Sequence, residues 1–145
     1  MVHAHIAQAL SSRETDALDG GGVQIRSHRR HQATVVSVSG NVDAHTVGAV
    51  GSYLLNRQHD DIPLVIDITG MTALTTAGID LLEGLDRAFG VAGTEWTVVA
   101  ELATAQILAE RGLPVTTSVR AALADIVEAT ARQRRIVMAL MRQSA

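Results

Sequence analysis

The chain has 145 residues, 47% of them hydrophobic and 19% charged, with a formal net charge of −3. This is the length of one domain, able to bury roughly two-thirds of its unfolded surface, and too apolar and too weakly charged for a disordered tail. Cysteine is absent, which excludes disulfides, thiolate metal sites and Cys nucleophiles and fits a cytoplasmic protein. All twelve basic residues are Arg, so Lys-based phosphate loops and Schiff-base chemistry are excluded too. Tyr53, Phe89 and Trp96 are the only aromatics. With mild acidity, they are too few for a groove that stacks and neutralises nucleic acid, and no direct nucleic-acid partner is expected. No apolar run reaches the roughly 18 residues of a membrane helix, so no stable membrane insertion is expected. Met1 to Asp19 shows no basic segment followed by an apolar one, so no secretory signal is expected.

In chain order, residues 1–22 read as a flexible tail that ends in Gly20-Gly21-Gly22, with a weak helical pattern around Ile6 to Leu18. Val23 to Ser27 is a short strand and His28 to His31 a polar turn. Ala33 to Ser39 is β-branched, and it pairs with the first strand as an antiparallel hairpin. Asp43 is placed to cap a helix over Ala44 to Arg57, in which Val47, Val50, Leu54 and Leu55 share a face. Leu64 to Ile68 is a nearly continuous apolar run between Pro63 and Gly70, the pattern of a central parallel strand covered on both faces.

Thr75 or Thr76 caps the next helix. Ile79, Leu82, Leu85 and Phe89 form its apolar stripe, and Gly90 and Gly93 mark its end. Trp96 to Ala100 is a strand, Leu102 to Arg111 a helix stopped by Gly112, and Val115 to Thr117 a last short strand. Ser118 caps a final helix whose Leu123, Ile126 and Val127 point inward. The order is β-β-α-β-α-β-α-β-α: an α/β fold in which a mixed, mostly parallel sheet packs against helices. The division is a tail (1–22), a domain (23–130) and an amphipathic basic extension (131–145). The extension either prolongs the last helix and packs on the domain, or serves as a docking surface, a homodimer contact or a weak membrane-surface contact.

Few residues carry chemistry. The six His have no Cys partner and no carboxylate cluster at ligand spacing, so no metal is expected. No G-x-S-x-G elbow occurs, and no acid–base pair can be named, so neither a catalytic residue nor a cofactor is expected. Gly48 and Gly51 lie inside a helix, where they read as close packing of helix on sheet. Asp67 stands at the end of the central strand, where α/β folds place ligands. It reads as a structural bond to the following turn or as a ligand-proximal group. After it, Thr75 and Thr76 open a helix whose free N–H groups favour an anion or an acidic partner group.

Three segments together resemble the STAS domain, named for sulfate transporters and anti-sigma factor antagonists. Gly40-Asn41-Val42-Asp43 with Thr46 is similar to the family's Gly-x-hydrophobic-Asp-x-x-Thr. Leu64 to Met71 is similar to its third-strand run. Leu74-Thr75-Thr76-Ala77-Gly78-Ile79 lies where the family has hydrophobic-Asp-Ser-Ser-Gly-hydrophobic. The likeness runs from about Val23 to Glu128.

At this length the resemblance implies an anti-sigma factor antagonist. Such a protein binds an anti-sigma factor of the kinase-like ATPase type and so releases a sigma factor, which makes it a regulator and not an enzyme. The implied binding residues are Asp43, Thr75, Thr76, Ala77, Gly78 and Asp80. The resemblance also implies reversal by phosphorylation of the hydroxyl residue before the motif glycine. Ala77 holds that place and cannot take phosphate; Thr76 is the candidate substitute, and Thr75 replaces the motif aspartate. The alternative reading is a ligand-sensing or scaffold module that binds a nucleotide or small anion beside Asp67.

Overall fold

The computed structural model describes residues 15–30, 32–57 and 62–144. Strands β1 (Thr15–Gly20), β2 (Val23–Arg30) and β3 (Ala33–Gly40) form an antiparallel meander. Strands β4 (Leu64–Met71), β5 (Trp96–Val99) and β6 (Val115–Thr116) then add in parallel, giving a six-stranded sheet in sequential order. Helix α1 (Val47–Asn56) joins β3 to β4, α2 (Thr76–Ala92) joins β4 to β5, and α3 (Leu102–Glu110) joins β5 to β6. Helix α4 (Val119–Ser144) closes the described chain. The expected element order is present with one strand more.

That strand is the main correction. Residues 15–22 are not tail: β1 pairs with β2 along its length, and Gly21 and Gly22 turn the chain with φ of +64° and +84°. Two left-handed residues in succession make the tight turn that suits the twist of a hairpin. The glycines therefore fold the chain back instead of loosening it. The helical pattern expected from Ile6 ends in strand at Thr15, and residues 1–14 lie outside those described. β2 also runs on to Arg30 instead of ending at Ser27.

Strand alternation builds two cores. On one face Ile25, Val36, Ile66 and Val98 meet Val50 and Leu54 of α1, Leu82, Leu85 and Phe89 of α2, and Leu108 of α3. On the other, Val35, Val65 and Val99 meet Ala122 and Ile126 of α4. β4 is apolar on both faces because it lies under both layers. Phe89 is fully buried and packs edge-on against Trp96, ring centres 5.3 Å apart, while the Trp96 indole N–H donates to Asp86 (3.2 Å). Burying a phenylalanine in this way contributes about 1.5–3 kcal/mol. Gly51 faces a methyl group of Leu81, so it lets α1 approach α2, not the sheet, and Gly48 meets nothing.

Candidate partner-binding site

The loops after β3 and β4 leave the same edge of the sheet, because the two strands are parallel. Helices α1 and α2 therefore start side by side. The turn before α1 holds itself. One carboxylate oxygen of Asp43 accepts from the N–H groups of His45 (2.9 Å) and Thr46 (3.2 Å), and the other accepts from the Asn41 amide (3.1 Å). In return the Asp43 N–H donates to the Thr46 hydroxyl oxygen (2.9 Å), and that hydroxyl donates to the Asn41 carbonyl (3.1 Å). This reciprocal arrangement is a capping box with its residue types exchanged. Asp43 caps the turn that leads into α1; Thr46 is the residue flanking the helix itself. The His45 N–H, ahead of an opposing desolvation cost, holds the Asp43 carboxyl below its ordinary 3.8.

The start of α2 depends on one hydroxyl. Thr75 is the N-cap, in extended backbone, and its Oγ1 accepts from the Gly78 N–H (3.1 Å). The same hydroxyl donates to the Val42 carbonyl (2.7 Å), 33 residues earlier in the chain. A threonine can do both, whereas an ionised aspartate there could cap but not donate. Thr75 thus ties the start of α2 to the loop that opens α1.

The remaining residues divide by exposure. Gly78 is buried beside Leu74 and Met71, Ala77 is half-buried, and Thr76 and Asp80 are exposed. Thr76 is the one hydroxyl at this helix start that faces solvent without a capping bond. Asp43, Thr75, Thr76, Ala77, Gly78 and Asp80 therefore belong to two adjoining helix starts.

Asp67 does not join them. Strand alternation puts it on the face of Val65, away from α1 and α2. Its carboxylate accepts from the Thr69 N–H (2.9 Å) and the Thr69 hydroxyl (2.7 Å), both within β4 where its pairing with β3 shifts register, and not from a turn after the strand.

Sequence reasoning placed Asn41 and Thr46 in a motif but gave them no role. Their spacing to Asp43, a polar side chain two residues before and a hydroxyl three after, was the available signal. The Val42 carbonyl had none, since a backbone acceptor is invisible in a sequence. A depression of about 200 Å³ lies where β4 and β5 end, lined by Thr69, Thr72, Leu74, Glu101 and Thr104 among others. No basic side chain lines it. Among the described residues there is no group of His, Asp and Glu that could hold a metal ion, and no helix long and apolar enough to cross a membrane.

Residues 24–110 match the family pattern described as the STAS domain. The chain belongs to the STAS domain family. Osmosensory protein A of Mycobacterium tuberculosis is 34% identical over 137 residues, covering 89% of this chain and 87% of that protein. Among solved structures, an anti-sigma factor antagonist from Mycobacterium paratuberculosis superposes with a TM-score of 0.63 at 26% identity, over 74% of this chain and 97% of that one. The unphosphorylated anti-sigma factor antagonist SpoIIAA superposes with a TM-score of 0.55 at 11% identity, over 79% and 97%, a likeness of fold alone. The mixed α/β sheet of this STAS domain is that of the antagonists, and of the three resembling segments the first and third lie at the two helix starts while the second is β4.

Proposed function

We propose that this STAS domain is an anti-sigma factor antagonist acting in the cytoplasm. It binds an anti-sigma factor of the kinase-like ATPase type, and a sigma factor is thereby released to act in transcription. The similarity to a solved antagonist at 26% identity supports the class. One observation carries the location: the Thr75 hydroxyl bonded at once to Gly78 N and Val42 O. That pair of bonds fixes the α1 and α2 starts as one surface. Thr75 to Asp80 form its centre and Asp43 its flank. A preformed patch of this size suits a transient signalling contact and a binding role, not catalysis.

The same geometry sorts the hydroxyls as phosphate acceptors. Ala77 has none. Thr75 has its proton committed to Val42 and is half-buried. Thr76 is exposed, and phosphate there would add about −1.5 to −2 charges to the surface that meets the partner. Control of this antagonist therefore falls to Thr76 or is absent. The nucleotide or small-anion reading finds no cation at the depression beside β4 and β5, whose charged lining residue is Glu101.

The test is a pull-down of each candidate anti-sigma kinase on the full chain, with and without ATP, reading retained complex and incorporated phosphate together. Retention without ATP, lost on Thr76→Glu, is the expected result. No retention of any such kinase from the same organism overturns the proposal.

A further inference from the structure

The depression of about 200 Å³ at the C-terminal ends of β4 and β5 holds chemistry that the start of α2 does not use. It lies between the loop that leads into Thr75 and the first turn of α3. Its floor is apolar: Ile68 and Ala100 are 6% and 1% exposed, and Leu74 is half-buried. Around that floor stand Thr69, Thr72, Thr104 and Glu101.

These polar groups call for a cation. Glu101 precedes α3 without capping it, and it is exposed. Among the described residues, the side chains of Thr72, Glu101 and Thr104 have no hydrogen-bond or ion-pair partner. The Thr69 hydroxyl gives its proton to Asp67, so toward anything else it can only accept. No Arg lines the depression. The free N–H groups at the start of α3 amount to about half a positive charge, which the full negative charge of Glu101 outweighs. An anion is therefore disfavoured, while a cation meets a counter-charge and hydroxyl acceptors together.

The floor adds a second requirement. A compact, hydrated ion gains nothing from Ile68, Leu74 and Ala100. A cation on a hydrocarbon stem covers them with its methylenes and keeps its charge at the rim, as Lys and Arg side chains do. Leu102, next to Glu101, is 66% exposed and extends the apolar ground outward. Position names the source. Thr72 and Leu74 line the depression, and Thr75 to Asp80, the centre of the proposed contact, follow directly in the chain. A protein seated on Thr76 would lie over both.

We propose that the depression is a subsite of the partner interface and receives a lysine or arginine side chain of the anti-sigma factor. The stem lies on Ile68 and Leu74, and the charged end meets Glu101. This rests on the antagonist reading above. Interface energy concentrates where such an anchor fills a pocket.

Butylammonium chloride, the bare chemistry of a lysine side chain, probes the depression without the partner. It is titrated into the full chain and followed by amide NMR, with sodium butyrate as control. Saturable shifts at Thr72, Glu101 and Thr104, absent with butyrate and absent in Glu101→Gln, are expected. No shifts, or the same shifts with butyrate, overturn the proposal. The partner is then tested directly, with the kinase retained in the pull-down. Its affinity should fall at least about tenfold on Glu101→Gln. Glu110→Gln removes the same charge at the other end of α3 and should leave affinity unchanged. Unchanged melting curves verify both folds. If the parent retains a kinase and Glu101→Gln retains it equally, the subsite assignment falls and the antagonist reading stands; butylammonium binding in that case assigns the depression to a free amine. An equal loss on Glu110→Gln overturns the subsite too, since overall charge then explains the effect. If the parent retains no kinase, the antagonist reading fails and takes this assignment with it.

Discussion

The starts of α1 and α2 do the same job by different means. The turn before α1 is closed on itself: Asn41, Asp43 and Thr46 satisfy one another within six residues. The start of α2 leans on its neighbour through Thr75 and Val42. One is local and carries a charge; the other is long-range and neutral. A local cap fails alone, whereas a bridging one fails together with the geometry of the surface it joins. Variants that separate the two kinds of failure therefore test the comparison.

The largest effect is expected upstream of both. Gly40 has φ of +93°, and a Cβ there would collide with the Gly22 carbonyl. That carbonyl accepts from the Asn41 N–H, and the Gly40 carbonyl accepts from Thr72 N. Gly40 thus lies where both helix starts take their position. Gly40→Ala should cost about 3 kcal/mol from strain and collision together, a fall in melting temperature on the order of 10 °C. A melting curve shifted by only a degree or two would mean that the loop absorbs the change and that neither start depends on it.

Next comes Thr75. Thr75→Val keeps the shape, removes the cap and leaves the Val42 carbonyl without its donor, for about 2 kcal/mol in all. Thr75→Ser keeps both bonds and should stay within about 0.5 kcal/mol of the parent. Thr75→Asp is the sharper probe, because it keeps the cap and loses only the bridge. It should fall between the other two in urea denaturation. A Thr75→Asp protein as stable as the parent would reduce α2's start to an ordinary cap and remove the contrast with α1.

Much of this was legible in the sequence, and the parts that were not share a cause. Alternation and apolar runs announced β2 to β5, and β4's unbroken apolar run announced its place between two layers. Strand β1 was hidden, since Thr15 to Gly20 sets one large apolar residue, Leu18, among two Asp and small residues, and three glycines in a row look like slack. Only pairing with β2 makes it a strand. The Asp43 cap was readable because its partners lie within three residues. The Thr75–Val42 bond spans 33 residues and ends on a backbone oxygen, so no local pattern carries it. Asp67 had the right position on the strand, yet alternation turns it to the opposite face from the site.

Acid separates the two starts in a third way. Asp43's folded pKa lies below 3.8, chiefly through the His45 N–H. A depressed carboxyl contributes stability that is present above its unfolded pKa and is lost as pH falls through the folded one. The α1 turn should therefore loosen as pH drops below 3.8, while Thr75, which does not titrate there, keeps its bonds. Asp43→Asn should flatten that part of the stability–pH curve measured by urea denaturation. A parent and an Asp43→Asn protein with the same acid dependence would show that other carboxylates set it.

The smallest effect on folding should accompany a large effect on binding. Thr76 is exposed and makes none of the bonds that build either start. Thr76→Glu places a negative charge in the first turn of α2, where the free N–H groups tolerate it or stabilise it by about 0.3–1 kcal/mol. Melting should stay level or rise slightly. Affinity for the anti-sigma factor should fall at least about tenfold, because the charge stands at the centre of the proposed contact. His45→Glu makes the matching change at the α1 start, on an exposed residue whose side chain caps nothing. A loss confined to Thr76→Glu assigns recognition to α2, with α1 as its support through Val42. Equal losses spread recognition over both starts. Full affinity in both variants would leave the bridge as architecture alone and send the search for the partner to the opposite end of the sheet.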